Sequence, residues 1–313
     1  MSAFNLLLLV LLFFCDQATT VTYYITSDIC SQPNHSCLTL SEFAVDSSRH
    51  FDPNTTLIFL PGMHSLQINI SISDADSLTL QSENVCPSVT CENDSFMSFN
   101  SIELIHIKNM KFIGCGGNVF ESVRQFLLQN SRFEGKDASL TAFELIHTAA
   151  QIVNSTFIDN KMGTIRGPMN VLEDLRMSVS TGGAIIATHS NIDINQSYFE
   201  NNSAEIGGAV FAQNRSNITI VGTIFVENKC NANNTSIGCA LYLEESSITI
   251  IHSKLYRNTA TLGGVVFAVQ STVKISNNSE FNSNVAEMGG VLLLYNSTAT
   301  IKASQFYNNT AYI

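Results

Sequence analysis

The C-terminal part of the chain repeats itself about every 25 residues, and this repeat limits the folds that the chain can adopt. Five units follow one another without a gap, at residues 182–206, 207–237, 238–262, 263–288 and 289–313. Their lengths are 25, 31, 25, 26 and 25 residues. A fixed period in this range is typical of solenoids, propellers and other arrays.

Each unit contains three short segments with the character of β-strands. The second unit shows the pattern: it opens with Gly-Gly-Ala-Val at 207–210, continues with the alternating Ile-Thr-Ile at 218–220, and ends with Phe225 followed three places later by Asn228. Alternation with a period of two places the apolar side chains on one face of a strand.

Three short strands cannot bury an apolar face alone, but units stacked in register can. The repeat therefore predicts an all-β, pectin-lyase-like solenoid, a parallel β-helix with three strands in each coil of about 25 residues. Each coil would add about 4.8 Å along the axis. We expect the repeated Asn to be a left-handed turn residue whose amide forms a hydrogen-bonded ladder between coils.

The rhythm of the repeat also suggests a division of the chain. We expect a signal peptide at 1–20, an N-terminal cap with the first irregular coils at 21–99, and the β-helix at 100–313. About 17 residues leave the stack within an excursion at 161–181. No polar cap follows the final coil, so we expect the native protein to continue with further coils.

An apolar run at 6–14, followed by small residues up to Thr20, resembles a secretory signal that is cleaved near Ala18 or Thr20. An uncleaved anchor is the alternative. Every later stretch is interrupted before it reaches the ~20 apolar residues of a membrane helix, so we expect no membrane span beyond the signal segment. The sequence thus predicts an extracellular or cell-surface location.

Acceptor sequences for N-glycosylation are frequent, which favours the same compartment. The alternative is that a polar repeat produces them by accident. The fourteen candidates are Asn34, Asn54, Asn69, Asn93, Asn154, Asn195, Asn201, Asn214, Asn217, Asn233, Asn234, Asn277, Asn296 and Asn308.

The cysteines fall into close pairs, which in an oxidising compartment indicate local disulfides. The candidate pairs are Cys30 with Cys37, Cys86 with Cys91, and Cys230 with Cys239. Cys115 is left over, and we expect a buried free thiol. No pattern typical of a zinc site is present, so we expect neither a metal nor a cofactor.

Charge and motifs narrow the function. The formal net charge is −11, and the basic residues are scattered singly, which disfavours binding to nucleic acid or to an anionic membrane. Glycoside hydrolysis needs two carboxylates about 5–9.5 Å apart, and the repeat supplies none in phase, since Asp193 aligns with Thr residues and Lys274. We expect a non-catalytic protein; the alternative is an extracellular polysaccharide-active lyase or glycoside hydrolase.

The alternation of Gly-Gly-Ala-Ile/Val with Phe-x-x-Asn, between Phe157 and Asn309, resembles the repeats of chlamydial polymorphic membrane proteins. This resemblance implies a right-handed β-helix with an adhesive role. Cys239, Val265 and Val291 depart from the pattern. The segments 37–41 and 54–64 are similar to predicted secreted β-helix proteins of sponges, and the glycosylation motifs and paired cysteines favour this animal version.

Together these features predict a secreted or cell-surface glycoprotein that acts as a structural, adhesion or recognition module. Its partner would be an extracellular protein or glycan. The excursion has no glycosylation motif, so we place the candidate contact surface there, although a tolerated insertion would look the same. The candidate contact residues are Arg166, Glu173, Asp174 and Arg176.

Overall fold

The chain winds into a parallel β-helix, as the repeat predicts. A computed structural model describes residues 20–27, 37–47, 52–82, 86–92, 95–135, 140–162, 181–230 and 237–313. Within these residues, three long sheets run the length of the molecule, and every strand pair in them is parallel. Each coil passes through sheet A, sheet B and sheet C in turn, so consecutive strands of one sheet come from consecutive coils.

The strands are short and evenly spaced. Sheet A contains, in spatial order, Cys37–Leu38, Val21–Ile25, Asn54–Phe59, Ser77–Gln81, Leu104–Lys108, Gln125–Gln129, Ala149–Val153, Asn191–Asn195, Asn217–Val221, Ser247–Ile251, Thr272–Ser276 and Thr298–Ile301. Sheet B contains Met63–Leu66, Ser88–Cys91, Lys111–Ile113, Arg132–Glu134, Thr156–Ile158, Tyr198–Glu200, Ile224–Val226, Lys254–Tyr256, Glu280–Asn282 and Gln305–Tyr307. Sheet C contains Ile70–Ser73, Met97–Asn100, Asn118–Glu121, Phe143–Ile146, Ile185–Thr188, Val210–Gln213, Leu241–Glu244, Val266–Val269 and Leu292–Tyr295. Two-residue strands add two small pairs, Ser203–Ala204 with Lys229–Cys230, and Val285–Ala286 with Thr310–Ala311.

The core is a set of side-chain stacks that run along the axis. Within each strand the apolar side chains alternate inward, as Ile218 and Ile220 do on either side of Thr219. Phenylalanines of sheet B stack on their equivalents: the ring centroids of Phe157 and Phe199 are 4.8 Å apart, and those of Phe199 and Phe225 are 4.6 Å apart. The identical spacing of equivalent positions therefore converts a short repeat into one continuous core.

A buried asparagine ladder lies at the B–C corner, where sheet B ends and the chain turns toward sheet C. From Asn160 onward the Nδ2 of each asparagine donates to the Oδ1 of the next at 2.9–3.0 Å, and its backbone N–H donates to the same oxygen at 3.0–3.1 Å. The ladder that we expected is thus confirmed. Its members are Asn160, Asn202, Asn228, Asn258, Asn284 and Asn309.

The expected backbone conformation of these asparagines is wrong. The left-handed residue is the one before each ladder asparagine, such as Asn201, Glu227 or Arg257, with φ between 50° and 55°. The preceding residue makes the turn and points outward, so the asparagine side chain can point inward along the axis. In each of these coils, one residue therefore makes the turn and the next one forms the ladder.

Serine and threonine hydroxyls form similar ladders at the other two corners. At the A–B corner the N–H of Ser155 donates to Ser197 Oγ at 3.2 Å, and the N–H of Ser197 donates to Thr223 Oγ1 at 3.2 Å. At the C–A corner the N–H of Thr148 donates to Ser190 Oγ at 3.1 Å. Each hydroxyl thus accepts an N–H from the preceding coil that would otherwise be buried without a partner.

The glycine pairs allow the backbones of neighbouring coils to approach closely. A Cβ atom on Gly183 would lie 2.0 Å from the carbonyl oxygen of Gly208. This distance excludes any side chain at Gly183, whereas the equivalent position of the third unit accommodates Cys239, whose side chain forms a disulfide with Cys230.

A short helix covers the N-terminal end of the stack. It spans Leu40–Ser47, and Leu40, Phe43 and Ala44 are buried against the first coils. Thr39 and Glu42 form a capping box: the Thr39 N–H donates to Glu42 Oε2 at 2.7 Å, and the Glu42 N–H donates to Thr39 Oγ1 at 3.2 Å. The Thr39 hydroxyl also donates to Glu42 Oε2 at 2.9 Å, and the two hydrogen bonds that this carboxylate accepts lower the pKa of Glu42.

The predicted pair of Cys86 with Cys91 and the expected free thiol at Cys115 are both wrong. Cys91 is bonded to Cys115, with a Cα–Cα distance of 4.9 Å, and Cys86 is a free, exposed thiol. Cys86 and Cys91 lie at opposite ends of an extended segment, about 16 Å apart at ~3.3 Å per residue, which is too far for a disulfide. Cys115 follows the strand that pairs with Ser88–Cys91, so it reaches Cys91 from the next coil.

The two remaining predicted pairs are Cys230 with Cys239 and Cys30 with Cys37. The disulfide between Cys230 and Cys239 is present. Cys37 is also disulfide-bonded, whereas Cys30 lies outside the described residues.

Most of the expected excursion, 163–180, lies outside the described residues, and so do Arg166, Glu173, Asp174 and Arg176. The flanking residues are tied to the next coil, since Lys161 pairs with Ser203 and Thr181 pairs with Ile206. The signal segment 1–19 also lies outside the described residues. In the last coil Ile301 and Phe306 take inward positions but are 45% and 40% exposed. The expected continuation of the chain stays a prediction.

The asparagine ladder should carry a measurable part of the stability. Asn228 makes four side-chain hydrogen bonds, two accepted from Asn202 and one donated to each of Phe199 O and Asn258 Oδ1. We expect Asn228→Ala to lower the free energy of unfolding by about 3 kcal/mol, because it leaves buried polar groups unpaired. Denaturant unfolding of the full chain measures this loss. Asn191→Ala, at an exposed strand end, is the matched control, and an equal loss in both variants would contradict the prediction.

Candidate functional site

An open cleft of about 540 Å³ lies on the outer face of sheet A, beside the C–A corner. It crosses four consecutive coils, because its lining comes from the start of four neighbouring strands of sheet A. The lining residues are Glu103, Leu104, Arg124, Gln125, Ala149, Ala150, Gln151, Asn191 and Asp193.

The cleft exists because one outward position carries a small side chain. Ala149 is exposed, and it pairs in register with Asn191 of the next coil, while Gln125 starts the strand of the coil before. The methyl group of Ala149 lies between the longer amide side chains of Gln125 and Asn191, which leaves a depression in the surface of the sheet. The rigid strands beneath fix the positions of the polar groups around it.

Of the three charged side chains around the cleft, two form an ion pair with each other and one does not. Arg124 Nη1 lies 2.8 Å from Glu103 Oε2 and forms one wall, although both side chains are largely exposed and the pair contributes little to stability. The backbone of Asp193 pairs with Gln151 and Thr219, but its carboxylate has no hydrogen bond or ion pair with the residues that the structure describes. Around these charges, Gln125, Gln151 and Asn191 offer amide donors and acceptors. The cleft can therefore bind a polar ligand through several directed hydrogen bonds.

Sequence reasoning named only one residue of this site. Asp193 was expected to face outward, in line with Thr residues and Lys274, and the register confirms it: Asp193 pairs with Thr219, and Thr249 pairs with Lys274. The remaining lining residues carry no motif. Aligning the coils by their strand register could have revealed Ala149 as the small member of a row of longer side chains.

Two carboxylates on sheet C lie outside the cleft. Glu144 is half-buried on the outer face, paired with Val119 and Ile186, and burial raises its pKa, with a further contribution from the charge of Glu121. Glu121 lies on the preceding coil and is exposed. A half-buried carboxyl with a raised pKa is suited to donate a proton. The sequence did not indicate this pair, because Glu121 and Glu144 do not occupy equivalent positions of their coils.

The glycosylation candidates are concentrated at the corners. Six of them have a positive φ of 47° to 55°, namely Asn154, Asn201, Asn214, Asn277, Asn296 and Asn308. In Asn214-Arg215-Ser216 and Asn277-Asn278-Ser279 the ladder serine is the third residue of the motif. In Asn154-Ser155-Thr156 the ladder serine is the middle residue, and the first residue of the next strand completes the motif. Their outward position nevertheless leaves room for glycans. Asn34, Asn93, Asn233 and Asn234 lie outside the described residues.

Among the described residues, no cluster of three or more His, Cys, Asp and Glu side chains is arranged to hold a metal ion. Within the same part of the chain, no helix is both long and apolar enough to cross a membrane.

Comparisons with known proteins give limited similarities. No family model matches the chain. Metabotropic glutamate receptor-like protein R of Dictyostelium discoideum is 33% identical over 84 residues, which is 27% of this chain and 5% of that protein. The chain therefore corresponds to a small fraction of this relative's length. A solved structure, Geobacillus virus E2 ORF18, is 12% identical with a TM-score of 0.49, over 81% of this chain and 54% of that chain.

Neither similarity establishes a family or a function. The resemblance to polymorphic membrane proteins and to sponge proteins stays a prediction.

Glu144 should make stability depend on pH. Its folded-state pKa is raised, so its contribution to stability is lost as the pH rises through that value. We expect Glu144→Gln to raise the thermal unfolding midpoint at pH 7 and to leave it unchanged at about pH 3, where the wild-type carboxyl is protonated in both states. Glu121→Gln, at the exposed neighbour, should give a smaller gain. An unchanged midpoint of Glu144→Gln at pH 7 would show that the carboxyl is not desolvated.

Proposed function

We propose that the protein is a secreted or cell-surface glycoprotein that acts as a non-catalytic structural, adhesion or recognition module. The observation that carries this proposal is the cleft on sheet A, with its exposed amides and the carboxylate of Asp193 on a rigid scaffold. We further propose that an extracellular protein or glycan binds there. Such a ligand offers the hydroxyl, amide or amine groups that complement this lining.

Two further observations support the extracellular part of the proposal. The disulfides Cys91–Cys115 and Cys230–Cys239 are compatible with an oxidising compartment. The described glycosylation candidates are exposed or half-exposed, and many lie at corners where a glycan would project away from the sheets. The candidate contact residues of the excursion remain a second, separate proposal for the contact surface.

The proposal is tested by blocking the cleft without removing any of its hydrogen bonds. Ala149→Tyr places a ring in the depression, and Thr272→Tyr places the same ring in the same row of sheet A, outside the cleft. The full chain is expressed in a secretory eukaryotic cell, and its release and its mass shift with an N-glycosidase are measured. Its retention on extracellular matrix laid down by cultured animal cells is then measured.

We expect release into the medium, a mass shift, and retention that Ala149→Tyr lowers at least tenfold while Thr272→Tyr does not. Retention that is equal in both variants would overturn the cleft as the contact surface. Failure to enter the secretory pathway would overturn the extracellular proposal itself.

The alternative is a polysaccharide-active enzyme, and the raised pKa of Glu144 favours it because a protonated carboxyl can act as a general acid. An assay for new reducing ends, with the matrix polysaccharides as substrates, separates the two functions. Cleavage by the wild type that Glu144→Gln abolishes would establish the enzyme. We expect no cleavage by either protein.

A further inference from the structure

Two histidines that are distant in sequence stack on each other at the C–A corner. His147 and His189 take the left-handed position of consecutive coils, with φ of 48° and 51°. Their ring centroids are 4.7 Å apart and their planes are inclined by 18°. Both side chains are exposed, so the pair is open to solvent.

Hydrogen bonds at this corner join the backbone of the His147 coil to the His189 coil. The N–H of His147 donates to Thr188 O at 3.0 Å, and the residues that follow the two histidines are joined, since the N–H of Thr148 donates to Ser190 Oγ at 3.1 Å. The spacing of the two Cβ atoms is therefore set by the coil repeat. Only rotation about the side-chain bonds can change the distance between the ring nitrogens.

That spacing suits one metal ion held by two imidazoles. Two nitrogens that bind a common ion at 2.0–2.1 Å with a tetrahedral angle lie about 3.3 Å apart. Because the lone pair of each ring nitrogen lies in the ring plane and the two planes are nearly parallel, both rings must rotate out of the stack to direct one nitrogen each at a common ion. Both side chains are exposed, which permits this rotation about their side-chain bonds. Among the described residues no third His, Cys, Asp or Glu completes a cluster, so water would fill the remaining positions.

We propose that His147 and His189 form a two-histidine site for a divalent transition-metal ion, with Cu²⁺ bound in preference to Zn²⁺. Arg215 occupies the same corner in the following coil, and its charge opposes a cation. A site with two imidazoles beside such a charge holds best the ion with the strongest affinity for nitrogen ligands, which is Cu²⁺ in the order of divalent metals. This proposal does not depend on the proposed function.

The chain supplies both a conservative substitution and a matched control. Gln270 takes the same left-handed position of the same corner two coils beyond Arg215, so His→Gln is compatible with the backbone there. His252 is an exposed histidine in the left-handed position of the A–B corner, and no histidine precedes or follows it in the adjacent coils. His252→Gln therefore removes one imidazole without touching the pair.

Cu²⁺ is titrated into the full chain, and binding is followed by calorimetry and by electron paramagnetic resonance. We expect His147→Gln and His189→Gln each to weaken the tightest binding step at least tenfold and to reduce the nitrogen coupling in the spectrum. His252→Gln should leave the affinity and the nitrogen coupling unchanged. Cu²⁺ bound at other positions contributes equally to the wild type and to the three variants. Unchanged binding in the two corner variants, or an equal loss in His252→Gln, would overturn the site.

Discussion

The structure depends on side chains at the three corners that satisfy the backbone of the neighbouring coil. Along the strands, parallel main-chain pairing joins one coil to the next, but at each corner the chain turns and that pairing is interrupted. The Oγ of Ser155 accepts the N–H of Ser131 and donates to Val153 O at 2.9 Å, so one side chain satisfies a donor and an acceptor. Because these groups are buried, each would cost about 1–3 kcal/mol if left unpaired.

Corner chemistry also explains much of the unusual composition. The residue before each ladder side chain must take a positive φ, and it projects outward, so asparagine, serine, glutamine and histidine all occur there. The many glycosylation motifs follow partly from this requirement. The stacked pair His147 and His189 arises in the same way, because equivalent corner positions of adjacent coils are placed side by side.

The period and the inward side chains of the β-helix could be predicted from sequence because identical positions repeat, as Phe225 and Asn228 show. The left-handed residue could not be identified, since its side chain points outward and its type varies from Glu227 to Arg257 to Ser283. The Cys91–Cys115 bond was missed because it joins two coils, whereas the reasoning used proximity along the chain.

The cleft was missed for a related reason. It is formed by Ala149, a residue without chemistry of its own, and its shape depends on which residues the register places on either side. Outward positions vary in chemistry from coil to coil, whereas inward positions stay apolar even where their size changes, as from Phe126 to Ala150 to Ile192. Binding surfaces on such a scaffold are therefore set by register, and they can be recognised only when the coils are aligned. Here that alignment must cross the segment 163–180, which separates the Ala149 coil from the Asn191 coil in the sequence.

Native-state hydrogen exchange tests the central claim most directly. The backbone amides of Asn202, Asn228 and Asn258 donate to side-chain oxygens of the next coil and to no main-chain carbonyl of a sheet. If the corner ladders hold the coils together, these amides are protected to within about tenfold of the strand amide of Phe225. Exchange at the rate of unstructured peptide, with the strand amides still protected, would contradict the account.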